Sequence, residues 1–535
     1  MTTQITPPPS PPGLFVRRSS GLVREVSAGN AWIGNMLIAN LVIGAVTVLL
    51  VPYSFPGASV VGAIVLSAIP AAFLATVYVL FSVAMPRAGG DYVYISRTLH
   101  PAIGFAANFS FFAWNCIWIG VYANWSISLG LKGAFASLAI ATGSSGWTDA
   151  ADWVGREGAT FLLASVVLIG VTVICAFGLR AALRAQKVMF IVALIGVLVA
   201  ILAVAFTSRA DFAQGLADQG TSYNGIIEAA RAAGFDPPSS WTKLGPTILA
   251  VGLVSLLSLF VMYSAYYAGE VKETRRSLPI SMYGALAAVI VVFAVMALAA
   301  TSTWGQDFLA AINTLFNDAP DKYPLASSPD YNYLEAIGNQ SLLLTAVIGV
   351  GFIVYPAASL IANFVVNSRC LFAWAFDRLL PQQAASVSPR THSPVVAIVA
   401  VAILGWISLA AYTFFGSVKF LGGTTMGYIS TFATTALAAV VFPYVRRSLY
   451  EESPMKPSLF GVPVLTIAGA GTLAMFAVMV YGFLTNDVFG ANVPEGLAFF
   501  VGLWLVGLAL FLVARTVRSR QGVPMDVALR ELPPE

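Results

Sequence analysis

The sequence predicts an all-α membrane protein with twelve transmembrane helices. Three observations carry this. Hydrophobic residues make up 58% of the 535 and charged residues 10%, with a mean hydropathy of +0.82; a soluble chain is about 25% charged. The charges bracket gaps of ~20 apolar residues or more, the length that crosses a bilayer. Lys and Arg are also unevenly placed. With the N-terminus inside, 21 of the 28 fall in inner segments, among them Arg17, Arg18, Arg87, Arg97, Arg180, Arg369 and Arg446. That bias sets both termini on the cytoplasmic side of the plasma membrane with an even helix count.

Residues 1–30 are Pro-rich and lack an apolar core with a cleavage site, so they read as a retained cytoplasmic tail. The first and second helices, Ala31–Leu50 and Ala58–Met85, are split by the turn VPYSFPG. Ile103–Leu131 lies between Arg97 and Lys132. Ala159–Phe177, Val188–Phe206, Pro246–Gly269 and Ile280–Ala300 follow, then Leu342–Asn367, Val395–Phe415, Thr424–Phe442, Val462–Phe483 and Gly496–Ala514. Residues 31–445 form a core of ten helices, 446–517 add two more, and 518–535 form a second cytoplasmic tail. The stretches Thr207–Gly245 and Thr301–Gln340, rich in Asp, Pro, Ser and Gly, read as outer loops.

The sixth helix is the unusual one. No charge lies between Lys243 and Glu270, yet Ser255, Ser258, Tyr263, Ser264, Tyr266 and Tyr267 interrupt its apolar run. Polar groups at membrane depth must be buried in protein or face a cavity. A break near Ser258–Met262 lining a substrate site is one reading. A continuous helix whose serines bond back to their own carbonyls is the other. In the third helix Asn115, Trp118 and Tyr122 share a face at helical spacing, with Asn124 close by. They can point into a pocket, or Tyr122 and Trp125 can anchor the membrane interface. Tyr355, and Tyr428, Ser430 and Thr434 of the tenth helix, are further candidates. Glu270 ends the sixth helix as an inner-gate candidate with a basic partner, or as a solvated helix end.

Enzyme chemistry has no support: the chain lacks H-E-x-x-H, C-x-x-C, a phosphate loop and paired carboxylates. Cys116, Cys175 and Cys370 have no metal or disulfide spacing. His100 and His392 fall in inner loops beside prolines and make poor proton relays. Nothing implies a nucleic-acid partner; membrane lipid is the expected surrounding, and the oligomeric state cannot be read.

Three motifs carry a family resemblance. Met85–Arg97 reads MPRAGGDYVYISR, Gly269–Pro279 reads GEVKETRRSLP, and Ser368–Pro394 carries Ser368, Arg369, Leu371, Asp377, Leu380, Pro381 and Pro394 in an S-R-x-L…D-x-x-L-P…P pattern. Together they resemble the amino acid–polyamine–organocation permeases. The resemblance implies a five-plus-five inverted repeat with two C-terminal helices, and substrate held between breaks in the first and sixth helices. Half-helix ends there offer N–H groups to a carboxylate and carbonyls to an ammonium. The implied substrate-binding set is Ile38, Ala39, Asn40, Gly44, Asn115, Trp118, Ser258, Leu259, Phe260, Tyr263 and Tyr355. Ala39, Asn40 and Leu41 stand where the family has a Gly-x-Gly cluster, and Phe260 where it has a glycine.

The resemblance further implies that Ser359, with carbonyls of the first helix, is a sodium-ligating candidate. Ala193 stands where some proton-coupled members carry lysine, so sodium coupling, exchange, or proton coupling through another group remain open. No cofactor is expected. No charge falls inside helices one, three, six, eight or ten, which favours neutral amino acids as substrate. Polyamines or cationic amino acids held by cation–π contacts, nucleobases, and a non-transporting ligand-binding protein are the alternatives.

Overall fold

The computed structural model describes residues 20–391, 393–416, 419–489 and 492–533. Arg17, Arg18 and His392 lie outside the described residues. Among the described residues eleven helices are long and apolar enough to cross a membrane, and Leu244–Ser258 is a shorter apolar helix. Ordinals below follow the chain order of the predicted helices.

The first helix starts where Ser27 caps the Asn30 N–H, and it is broken once, at Asn40, into Ala28–Ala39 and Leu41–Ser54. The second, Val60–Ala84, is capped by Ser59. The third, Pro101–Trp125, starts with proline at its first position and continues through a wide π-helical turn, Ser126–Leu131, into Lys132–Thr142. It therefore outruns the predicted end at Leu131. The sixth stops at Ser258; Tyr263–Tyr266 and Ala268–Glu270 are short 3₁₀ turns. The break, not the continuous helix, is what the chain adopts. The eighth, Leu342–Phe376, runs nine residues past the predicted end at Asn367 and packs against Leu179–Phe206 and the third helix. Its extension makes the first part of the Ser368–Pro394 motif helical.

The two predicted outer loops are not structureless. They hold the helices Arg209–Asp218, Tyr223–Ala232, Gln306–Asp318 and Tyr331–Asn339. Their hydrophobic residues repeat at helical spacing; Phe308, Leu309, Ile312 and Leu315 are all buried. Asp and Gly content masked that period. Glu335 of the last of these helices is 2% exposed, and burial pushes its carboxyl up to about 7. A raised carboxyl lets the folded protein hold a proton that the unfolded chain releases. Stability should therefore rise as pH falls from 8 through 7 toward 5. Glu335→Gln should raise the unfolding free energy at pH 8 by about 1–3 kcal/mol and flatten that slope. Identical pH profiles for variant and wild type would show that Glu335 is not the titrating group.

The three motifs meet at one, arginine-rich end of the bundle. Gly89 and Gly90 take positive φ values of 101° and 50°, which lets the turn press against Ala373 and the Tyr266 ring, where a Cβ would collide. Tyr92 and Arg97 of the first motif both reach Asp377 of the third, each at 2.6 Å. The strand-like stretch Glu25–Val26 straps the second motif: both N–H groups donate to the Glu270 carbonyl, and Lys272 N–H returns to Val26. The C-terminal tail docks on the same end, accepting from Arg87 at Pro533 and from Arg97 at Glu531.

Candidate functional site

Both breaks lie beside one buried cavity. Ile38 and Ile43 come from either side of the first break, and Leu256, Phe260 and Tyr263 from around the second. Asn115, Trp118 and Tyr122 of the third helix, Asn363 of the eighth and Tyr428 of the tenth complete the lining. The lining carries no charge. The void is about 20 Å³, room for about one water, so a solute enters only when these side chains separate.

Each break is held by a side chain of the first helix. Asn40 sits at φ 42°, a region that short polar side chains tolerate. Its Oδ1 accepts from the N–H groups of Val42 (3.0 Å) and Ile43 (3.2 Å), capping the second half-helix. Its Nδ2 donates to Ser359 Oγ at 3.1 Å. Ser359 in turn donates to the Leu37 carbonyl at 2.6 Å, and Tyr355 donates to Met36 at 2.9 Å. Asn35 holds the sixth segment: its Oδ1 accepts from the Ser264 N–H (2.9 Å) and its Nδ2 donates to Ser264 Oγ (3.1 Å). Tyr263 is aimed by its hydroxyl, which donates to Asn115 Oδ1 at 2.7 Å.

Of the predicted set, the structure brings Ile38, Asn115, Trp118, Phe260 and Tyr263 together around the cavity. The others stand elsewhere. Ser258 donates to the Ser67 carbonyl of the second helix, away from the cavity. Gly44 faces Phe293 of the seventh helix, whose ring leaves no space for a Cβ. Ala39 and Leu259 are buried at the breaks without lining the void. Tyr355 and Ser359 tie the eighth helix to the first. Tyr122, equally readable as an interface anchor, is 5% exposed and turns its hydroxyl toward the Ile38 carbonyl.

Glu270 has its basic partner. Arg369 Nε and Nη2 each donate to one carboxylate oxygen at 2.9 Å, with both side chains at most 3% exposed. This is a two-point fork, the geometry that suits guanidinium and carboxylate. The solvated helix-end reading does not hold. Asn35, Asn363 and Arg369 escaped the sequence reading as site residues. A signal existed for Asn363: Tyr355, Ser359 and Asn363 recur every four residues in an apolar run, which puts them on one face.

Two interrupted helices beside a buried, uncharged cavity of aromatic, amide and aliphatic side chains mark this chain as a membrane permease. Its family follows from comparison. The amino acid permease family model matches residues 35–510, and the chain belongs to that family. Similar proteins are transporters. The methylthioribose transporter of Bacillus subtilis (strain 168) is 23% identical over 440 residues, 78% of this chain and 80% of the relative. The chloroplastic cationic amino acid transporter 7 of Arabidopsis thaliana is 22% identical over 404 residues, 75% of this chain and 62% of the relative. The vacuolar cationic amino acid transporter 4 of the same plant is 25% identical over 216 residues, 40% and 32% of the two chains.

Proposed function

We propose that the chain is a secondary transporter that moves a small neutral solute, in the first reading a neutral amino acid, across the plasma membrane by alternating access. Twelve spans in a five-plus-five inverted repeat with two added helices, and a cytoplasmic arginine-rich end, belong to the same proposal. The observation that carries it is the pairing of two helix breaks with a cavity lined by aromatic rings, amides and aliphatic side chains and by no charged group. An uncompensated charge on a solute side chain would be costly there. The Glu270–Arg369 fork serves as the inner gate, because it locks the sixth segment to the eighth helix beneath the cavity.

The Asn40 cap favours a second reading, a neutral solute without a carboxylate. The half-helix N–H groups that would receive a carboxylate already bond to Asn40 Oδ1. The Bacillus relative is named for methylthioribose, which suits this reading. The proposed cycle is sodium-independent. Ser359 Oγ donates to one carbonyl and accepts from an amide, and Tyr355 donates to another carbonyl, so a cation would have to compete with bonds already made, which supports this reading.

Thermal unfolding of the purified protein against neutral and cationic amino acids, polyamines, nucleobases and methylthioribose, in sodium and in potassium, tests these readings. A ligand at 100 times its Kd should stabilise by ~2.7 kcal/mol. Trp118→Ala should abolish that shift and Ser258→Ala should keep it. A shift with cationic amino acids alone would overturn the neutral-solute reading, and one seen only in sodium would overturn the sodium-independent cycle.

A further inference from the structure

The structure holds a further buried acid, Asp91, that the cavity does not use. Asp91, just after the Gly89–Gly90 turn, has no exposed surface. Oδ1 accepts from the Thr435 hydroxyl of the tenth helix at 2.6 Å and from Tyr78 of the second. Oδ2 accepts from Tyr266 of the broken sixth segment. Three elements distant in sequence thus converge on one carboxylate. The other titratable groups facing it are Tyr94 of its own short helix and Cys370 of the eighth. Arg97, on the same short helix, is engaged with Asp377. Hydroxyls, rather than a cation, compensate the charge, and burial prevails over them: the carboxyl is lifted to about 6.

The hydrogen count gives this site two states. An ionised carboxylate only accepts, and it takes one proton-bearing hydroxyl from each of the three elements. A protonated carboxyl has a donor of its own. That donor needs an acceptor, so at least one hydroxyl must turn away or reverse its bond. The remaining bonds also lose their charge assistance, roughly half their strength. The tie between the second, sixth and tenth helices is therefore strong when Asp91 is ionised and weak when it is neutral. Tyr266 also gives its carbonyl to the Gly89 N–H, so the turn and the sixth segment part together or not at all.

We propose that Asp91 is a proton-binding site whose occupancy gates opening of the cavity toward the arginine-rich end. Ionised, it ties the sixth segment shut; protonated, by a proton taken from water and later returned to it, it lets the segment leave. This rests on the alternating-access reading and names its gating ion. Unlike a solute panel, the test needs no solute, so a wrong substrate class would leave it intact.

Infrared titration of the full-length protein between pH 5 and 8 should show a buried carboxylic acid C=O band that appears on acidification and is missing in Asp91→Asn. At fixed pH 8 that variant mimics the protonated form. Its Cys370 should react with a methanethiosulfonate reagent at least about tenfold faster than in wild type, the factor set by losing one charge-assisted bond. Cys370→Ser in the same background should remove that signal. If Asp91→Asn does not fold, Thr435→Val decides: losing one donor to the ionised form should move the infrared midpoint upward. The absence of any titrating band assigned to Asp91, labelling of Asp91→Asn at the wild-type rate, or an unmoved midpoint in Thr435→Val would overturn the proposal.

Discussion

Glu270→Ala should lower the unfolding free energy by ~3–5 kcal/mol, because it strands the Arg369 guanidinium in a site where it is 2% exposed. The effect isolates the side chain. The Glu270 carbonyl keeps its two bonds from Glu25 and Val26 in the alanine variant, so the backbone strap survives. Arg369→Leu should cost a similar amount by stranding the carboxylate. The pair Glu270→Met with Arg369→Leu should recover most of the loss, since replacing both partners by apolar groups removes the charge burial itself. A double-mutant cycle read by thermal unfolding measures this coupling. Stability and function then separate. The apolar pair should fold, but it lacks the fork that locks the sixth segment, so its transport should fall even where its stability returns. Additive single losses with no recovery in the double variant would mean that the two groups are solvated independently, and the gate would go with them.

The sequence reading succeeded where hydrophobic period and charge gaps speak directly. Val395–Phe415 has the predicted bounds, the sixth-helix break begins at Ser258, inside the predicted Ser258–Met262, and the first falls at Asn40, one of the residues the family resemblance implied. In the sixth helix the signal was polar residues inside an apolar run, which a membrane does not tolerate without a reason; in the first it was the family resemblance. What stayed illegible depends on rotation about a helix axis. Ser258 and Phe260 are two residues apart, and nothing in the run says which faces the cavity and which the second helix. Gly44 looked like a backbone-binding glycine, yet its missing Cβ makes room for Phe293, 249 positions further on in the chain. Long-range pairs were hidden in the same way. Glu270 invited a basic partner, but several arginines follow the sixth and eighth helices, and only the fold selects Arg369. Asp91 stood in a quoted motif, where its neighbours drew attention to the glycine turn rather than to the acid.

Asn40→Gly should change which solutes bind more than it changes stability. Glycine accepts φ 42° without strain and costs a few tenths of a kcal/mol as a cap, to which the lost bond to Ser359 adds ~1 kcal/mol. In exchange, the Val42 and Ile43 N–H groups lose their internal acceptor and face the cavity at the positive end of a half-helix. A carboxylate placed there gains hydrogen bonds worth ~1.5–3 kcal/mol each, so zwitterionic amino acids should bind the variant at least tenfold more tightly than wild type. Solutes without a carboxylate, methylthioribose among them, should gain nothing. Ligand-dependent unfolding shifts of both proteins with the same panel make the comparison. The opposite result is equally informative. If neutral amino acids stabilise wild type and the glycine variant loses them, Asn40 is itself a ligand for the solute, and its cap opens on binding. The first reading of the substrate then stands, and the carboxylate-free reading falls.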